Sequence, residues 1–75
     1  MTIDRAGGPP PWMQLRDILR GRITSGELAG RLPSERALGQ QYEVAIGTVR
    51  KAVAALREEG LVYTEHGWGT FTVPR

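Results

Sequence analysis

Few side chains in this chain carry chemistry beyond charge and hydrogen bonding. There is no cysteine, so no thiol nucleophile, thiolate zinc site or disulfide can form, and the single histidine, His66 beside Glu65, has no nucleophile, metal-ligand set or phosphate-cradling loop to act with. Catalysis, a bound metal and a cofactor are therefore not expected. What remains is recognition through charge. Arg50 and Lys51 stand together in a segment whose apolar residues recur at helical spacing, a placement that suits contact with an anionic polymer. Ten Lys and Arg against eight Asp and Glu give a net charge of +2, which permits a nucleic-acid partner without requiring one.

The elements that must position these residues can be read from apolar spacing and from glycine and proline. A chain of 75 residues, 40% hydrophobic and 24% charged, builds one small globular core. No stretch approaches the roughly 18 apolar residues of a membrane span, and no secretory signal opens the chain, so a cytoplasmic, nucleoid-associated protein with no membrane partner is expected. Residues 1–11, with Gly7, Gly8 and three consecutive prolines, read as a flexible leader in which Ile3, the one large aliphatic, packs no core. Leu15, Ile18, Leu19 and Ile23 predict a helix over 12–25, stopped by Gly26. Arg31 and Leu32, between Gly30 and Pro33, leave room only for a very short strand. Ser34 then caps a helix that ends near Tyr42, with Glu35 at the positive end of its dipole. Glu43, Val44 and Ala45 connect to a third helix, whose stripe is Val49, Ala52, Val53 and Leu56 and whose stop is Gly60. Residues 61–66 and 70–73, rich in β-branched and aromatic side chains, flank Gly67, Trp68 and Gly69 as a hairpin.

The order is helix, short strand, helix, helix, strand, strand. The fold is mainly α with a small β-hairpin, and two helices joined by a three-residue turn and followed by a hairpin make residues 12–75 a winged helix-turn-helix. Removing the buried stripe from the third helix leaves Gly47, Arg50, Lys51, Ala54, Arg57 and Glu58 facing out, positive in the first half and mixed in the second. The charges alone leave a DNA-reading helix and an ordinary solvated face equally open.

Several segments resemble the GntR family of bacterial transcription regulators. Arg31-Leu32-Pro33-Ser34-Glu35-Arg36-Ala37-Leu38 is similar to its "RLPSERxL" signature, and Thr48-Val49-Arg50-Lys51-Ala52 to its "TVRxA" recognition helix. Glu59-Gly60-Leu61-Val62 resembles its helix end and strand start, and His66-Gly67-Trp68-Gly69-Thr70-Phe71 its "GxGTF" wing. The resemblance runs from about residue 10 to residue 73. It implies a domain that binds double-stranded operator DNA, usually as a homodimer on a palindrome, with repression as the expected role. It further implies DNA contacts by Arg36, Thr48 and Arg50, and by His66 and Gly67 at the wing. Arginine can pair bidentately with phosphate or guanine, threonine can bond a phosphate, and a glycine-rich wing lets backbone approach the minor groove. Structural alternatives stand beside two of these: Arg36 can pair with a carboxylate, and His66 can be a plain hairpin residue.

The chain departs from the family pattern at the turn into the recognition helix and at the wing tip. Where members commonly carry Gly, then Ser or Thr, then Arg at the turn into the recognition helix, this chain has Glu43, Ala45 and Ile46. Ala45 removes an N-cap hydroxyl, at a typical cost of about 1 kcal/mol. Ile46 keeps the register of Val49 and Val53, so it is expected to extend the core stripe, with contact to a thymine methyl as the alternative. The departure at the wing tip is Trp68, which can insert toward a sugar or base step, touch a protein, or fold back onto the domain. With Ala45, Ile46, Gly47, Lys51 and Trp68 added, the candidate DNA-binding set is Arg36, Ala45, Ile46, Gly47, Thr48, Arg50, Lys51, His66, Gly67 and Trp68. The chain ends after the wing, so no small-molecule effector site is expected. A winged helix used for protein interaction, or a nonspecific DNA-binding accessory protein, is the competing reading.

Overall fold

The computed structural model describes residues 3–74; Met1, Thr2 and Arg75, which belong to the expected leader and to the end of the expected domain, lie outside the described residues. Three helices and a hairpin follow one another: α1 (Pro11–Thr24), α2 (Glu35–Tyr42), α3 (Ile46–Glu58), β1 (Val62–Glu65) and β2 (Gly69–Thr72). This is the mainly α winged architecture that the spacing predicts.

Proline at the first position of α1 suits a helix start, because the N–H it lacks would have had no partner inside the helix. Leu15, Leu19 and Ile23 form its buried face and pack across α3, which contributes Val49, Ala52, Val53 and Leu56. The Ser34 hydroxyl accepts from the Ala37 N–H at 3.1 Å and starts α2. Leu38 and Tyr42 then point into the same core. Leu15, Leu19, Leu38, Val49 and Leu56 are fully buried, each contributing about 1.5–3 kcal/mol by removal from water.

The turn between α2 and α3 is tight. Glu43 closes α2 in the left-handed region at φ 55, an unfavourable conformation for a residue with a Cβ. Gly39 is buried where this turn folds back, and a Cβ there would stand 3.0 Å from the Val44 carbonyl oxygen. The Val44 N–H in turn donates to the Gly39 carbonyl at 2.9 Å.

The hairpin is antiparallel, with Val62 opposite Thr72, Tyr63 opposite Phe71, Thr64 opposite Thr70 and Glu65 opposite Gly69. The first strand stops short of the expected 61–66 at both ends, and the second runs Gly69–Thr72 rather than the expected 70–73. The Trp68 N–H donates to the Glu65 carbonyl at 3.0 Å, which draws His66 into the turn. The short strand expected at Arg31 and Leu32 is an isolated bridge between Arg31 and Phe71, flanked by Leu32 N–H to Thr70 O and Thr72 N–H to Gly30 O, both 2.8 Å. Pro33 has no N–H with which to continue it.

One expectation is corrected in the leader. Ile3 is 3% exposed and belongs to the core, and Pro11 opens α1. The physical reason lies in polar anchoring around it: the Asp4 N–H donates to Gln14 Oε1 at 2.7 Å, and Arg5 reaches the Glu43 carbonyl. Together these contacts hold the first described residues against α1 and the α2–α3 turn, and an isolated aliphatic side chain finds its place beneath them.

Candidate nucleic-acid interface

The candidate surface is built from the starts of two helices and the tip of the hairpin. Ala45 is the N-cap of α3 and offers no side-chain cap; its carbonyl accepts from Thr48 N–H at 3.0 Å and Val49 N–H at 3.2 Å. Ile46 is 41% exposed. It does not extend the core stripe, because as the first residue of α3 it lies past the point where neighbouring elements cover the helix. Gly47 faces open space and Thr48 is half-buried. Arg50, Lys51, Ala54, Arg57 and Glu58 are exposed, as the subtraction of the buried stripe requires.

Arg50 and Lys51 are held differently. Arg50 Nε donates to Glu35 Oε1 at 3.0 Å, while its two Nη groups make no hydrogen bond among the described residues. The pair is solvent-exposed and adds little to stability, so its effect is to fix where the guanidinium points. Lys51 Nζ lies 4.9 Å from the centroid of the Trp12 ring, and Arg16 Cζ lies 5.3 Å from it. The Lys51 contact fastens α3 to the start of α1 and draws the ammonium toward α1, while the Arg16 contact lies within α1. Arg36, second residue of α2, is exposed and makes no ion pair among the described residues.

His66, Gly67 and Trp68 form the wing tip, all exposed, with Trp68 at 72%. Gly67 and Gly69 have φ of 82 and 120, values that a side chain at either position would strain. A cleft of about 370 Å³ separates the tip from the start of α2, lined among others by Pro33, Ser34, Glu35, His66 and Trp68. Glu35 thus faces the wing across the cleft and bonds Arg50 on α3. The start of α2 is the middle of one continuous surface that runs from α3 to the wing. Arg57 Nη2 donates to Thr64 Oγ1 at 2.8 Å and ties the hairpin to α3 from behind.

Sequence reasoning missed Glu35 as a partner of Arg50, and missed Trp12 as a partner of Lys51. No local signal marks these pairs, since Glu35 and Arg50 are 15 residues apart on separate helices. Carboxylates with displaced titration lie away from this surface. A side-chain hydrogen bond from Arg20 holds Glu59 below its ordinary value of 4.5, and one from Arg16 holds Asp17 below 3.8. Among the described residues no helix is long and apolar enough to cross a membrane, and no three metal-ligating side chains cluster.

Comparison with known proteins meets this geometry from outside. The chain is 38% identical over 73 residues to the HTH-type transcriptional repressor NagR of Bacillus subtilis, covering 95% of this chain and 30% of that one. It is 41% identical over 71 residues to an uncharacterized HTH-type transcriptional regulator of Rhizobium meliloti, covering 92% of this chain and 29% of that one. The chain therefore spans under a third of the length of these relatives. Among solved structures, the AraR DNA-binding domain in complex with operator ORX1 superposes with a TM-score of 0.90 at 28% identity, covering 97% of this chain and 95% of that one. YtrA from Sulfolobus acidocaldarius, a GntR-family transcription factor, superposes with a TM-score of 0.86 at 29% identity, covering 97% and 79%. The bacterial regulatory proteins of the gntR family match residues 13–72, which takes in all but the first two residues of α1, both remaining helices and the whole wing; with its winged helix-turn-helix and its signature at the start of α2, the chain belongs to that family.

Proposed function

We propose that this chain is a sequence-specific regulator of transcription that binds double-stranded DNA, with α3 in the major groove and the wing at the minor groove. The observation that carries this reading is the surface that runs from Arg50 through its partner Glu35, across the cleft that Glu35 lines, to the wing tip. A phosphate strand separates the two grooves of a duplex, and this surface offers it the start of α2, where first-turn N–H groups and Arg36 favour an anion. Arg50 then reads base edges with its Nη groups. Thr48, Gly47, Ala45 and Ile46 line the approach, Lys51 supplies a flanking charge, and His66, Gly67 and Trp68 meet the neighbouring groove. Two copies on a palindrome, acting as a repressor, complete the reading. The relatives support it: NagR is named a repressor, and the AraR domain is seen on operator DNA. The binding unit is the winged helix-turn-helix with Ile3 as an anchor, and it acts in the cytoplasm.

Selection from a randomised duplex pool with the purified chain, at low and moderate salt, tests this. The expected result is a palindromic or half-site consensus bound at least about a thousandfold better than scrambled DNA, with half-sites about one helical turn, or a multiple, apart. Arg50→Ala is expected to weaken binding to that consensus by about 1–3 kcal/mol without unfolding the domain. No enrichment, with binding that vanishes as salt rises, would leave a nonspecific or protein-interaction role in its place.

A further inference from the structure

The wing tip presents an indole where little else stands out. At 72% Trp68 is the most exposed of the large apolar side chains among the described residues, well above Ile46 and Tyr63 at 41%. Its surroundings are stiff. The Trp68 N–H closes the turn on Glu65, Arg57 braces Thr64, and the Arg31 bridge holds Phe71 from the other edge. Glycine on either side, at φ 82 and 120, places no Cβ beside the indole, so backbone can come close to a surface while the ring reaches past it. A mobile aromatic side chain on a loose loop would yield on contact. This one is carried on a hairpin tied to α3 and to the Arg31 bridge.

We infer that Trp68 is a wedge: it enters the minor groove beside the bases read by α3, partly unstacks one base step and bends the duplex toward the major groove. The inference rests on the DNA-binding reading and adds a source of specificity to it. The minor groove of B-form DNA is only about 6 Å wide, so an indole cannot enter deeply without opening it. Opening is easiest where stacking is weakest, at the pyrimidine–purine steps TA and CA/TG, and hardest in stiff A-tracts. The operator therefore carries such a flexible step at a fixed distance from the α3 contacts. Trp68 selects it through the energy of deformation, with no hydrogen bond to any base.

The test uses the full chain and the duplex recovered by pool selection, with 2-aminopurine substituted at each adenine in turn and the ends labelled for energy transfer. Wild-type protein is expected to brighten 2-aminopurine at one step flanking the α3 contacts and to bend the duplex by about 20–90°. It should prefer TA over GG at that step. Trp68→Ala should lose the brightening, the bend and the step preference, and weaken binding about tenfold, the scale of one aromatic–base stack. Trp68→Phe should retain most of each. Circular dichroism should show both variants folded, as the exposure of the side chain requires. If Trp68→Ala binds with unchanged bend and unchanged step preference, the wedge is refuted and DNA binding stands; if wild-type protein enriches no sequence, both readings fall together.

Discussion

Replacing Glu43 with glycine is expected to make the domain more stable. Glu43 ends α2 at φ 55, and a left-handed residue bearing a Cβ lies about 1–2 kcal/mol above glycine in the same conformation. Part of that difference is returned, because glycine in the unfolded chain has more conformations to lose, an opposing effect of about 0.4–1 kcal/mol. The net expectation is a gain of about 0.5–1 kcal/mol. In a domain of this size that raises Tm by about 2–8 °C. The Glu43 carbonyl, which accepts from Arg5, belongs to the backbone and is kept. Thermal unfolding followed by circular dichroism at neutral pH measures the shift, and Glu43→Ala is the control that separates conformation from charge. Alanine removes the carboxylate and keeps the Cβ, so its Tm should stay near that of the wild type. If alanine stabilises as much as glycine, the gain comes from charge, and backbone strain at the turn is the wrong explanation.

Ile3→Ala should destabilise the domain by about 2–4 kcal/mol, read as a lower midpoint in urea, because a 3% exposed isoleucine leaves a cavity; an unchanged midpoint would return residues 1–11 to the role of a spectator. Glu59 and Asp17 both titrate below their ordinary values in the folded state, so the stability they add is full above about pH 5.5 and is lost as pH falls through their depressed values. Tm should therefore hold level above that pH and decline below it. Glu59→Gln, which removes the carboxylate that Arg20 grips at 2.8 and 2.7 Å, should flatten part of the decline.

Where an element's own side chains determine its form, the sequence was readable. Leu15, Leu19 and Ile23 recur at the helical period, as do Val49, Val53 and Leu56, and Ser34 and Gly67 each stand where a cap or turn needs them. The features that escaped are decided between elements. Ile3 sits alone in a proline- and glycine-rich segment, and no periodicity announces its burial. Ile46 has the period of the core yet is exposed, since periodicity tells which face a residue occupies and not how far along the helix the neighbours reach. The same holds for the candidate site. Exposure of Arg50, Lys51 and the wing tip follows from helix phase and turn chemistry, whereas the Glu35 grip on Arg50 and the Trp12 ring beneath Lys51 arise only when separate helices meet.

Gly39 sets a dimension of the recognition surface without belonging to it. A single methyl group at Gly39 would press against the Val44 carbonyl, 3.0 Å away, and one of the two would have to give. How closely α2 approaches the turn and α3 is therefore gauged by an absent side chain, as a shim sets the spacing of two jaws. If Arg36 and Arg50 meet DNA as proposed, a buried residue away from the contact surface sets the spacing of phosphate and base that the two can span, and exchange at Gly39 would retune the calliper while leaving both tips intact.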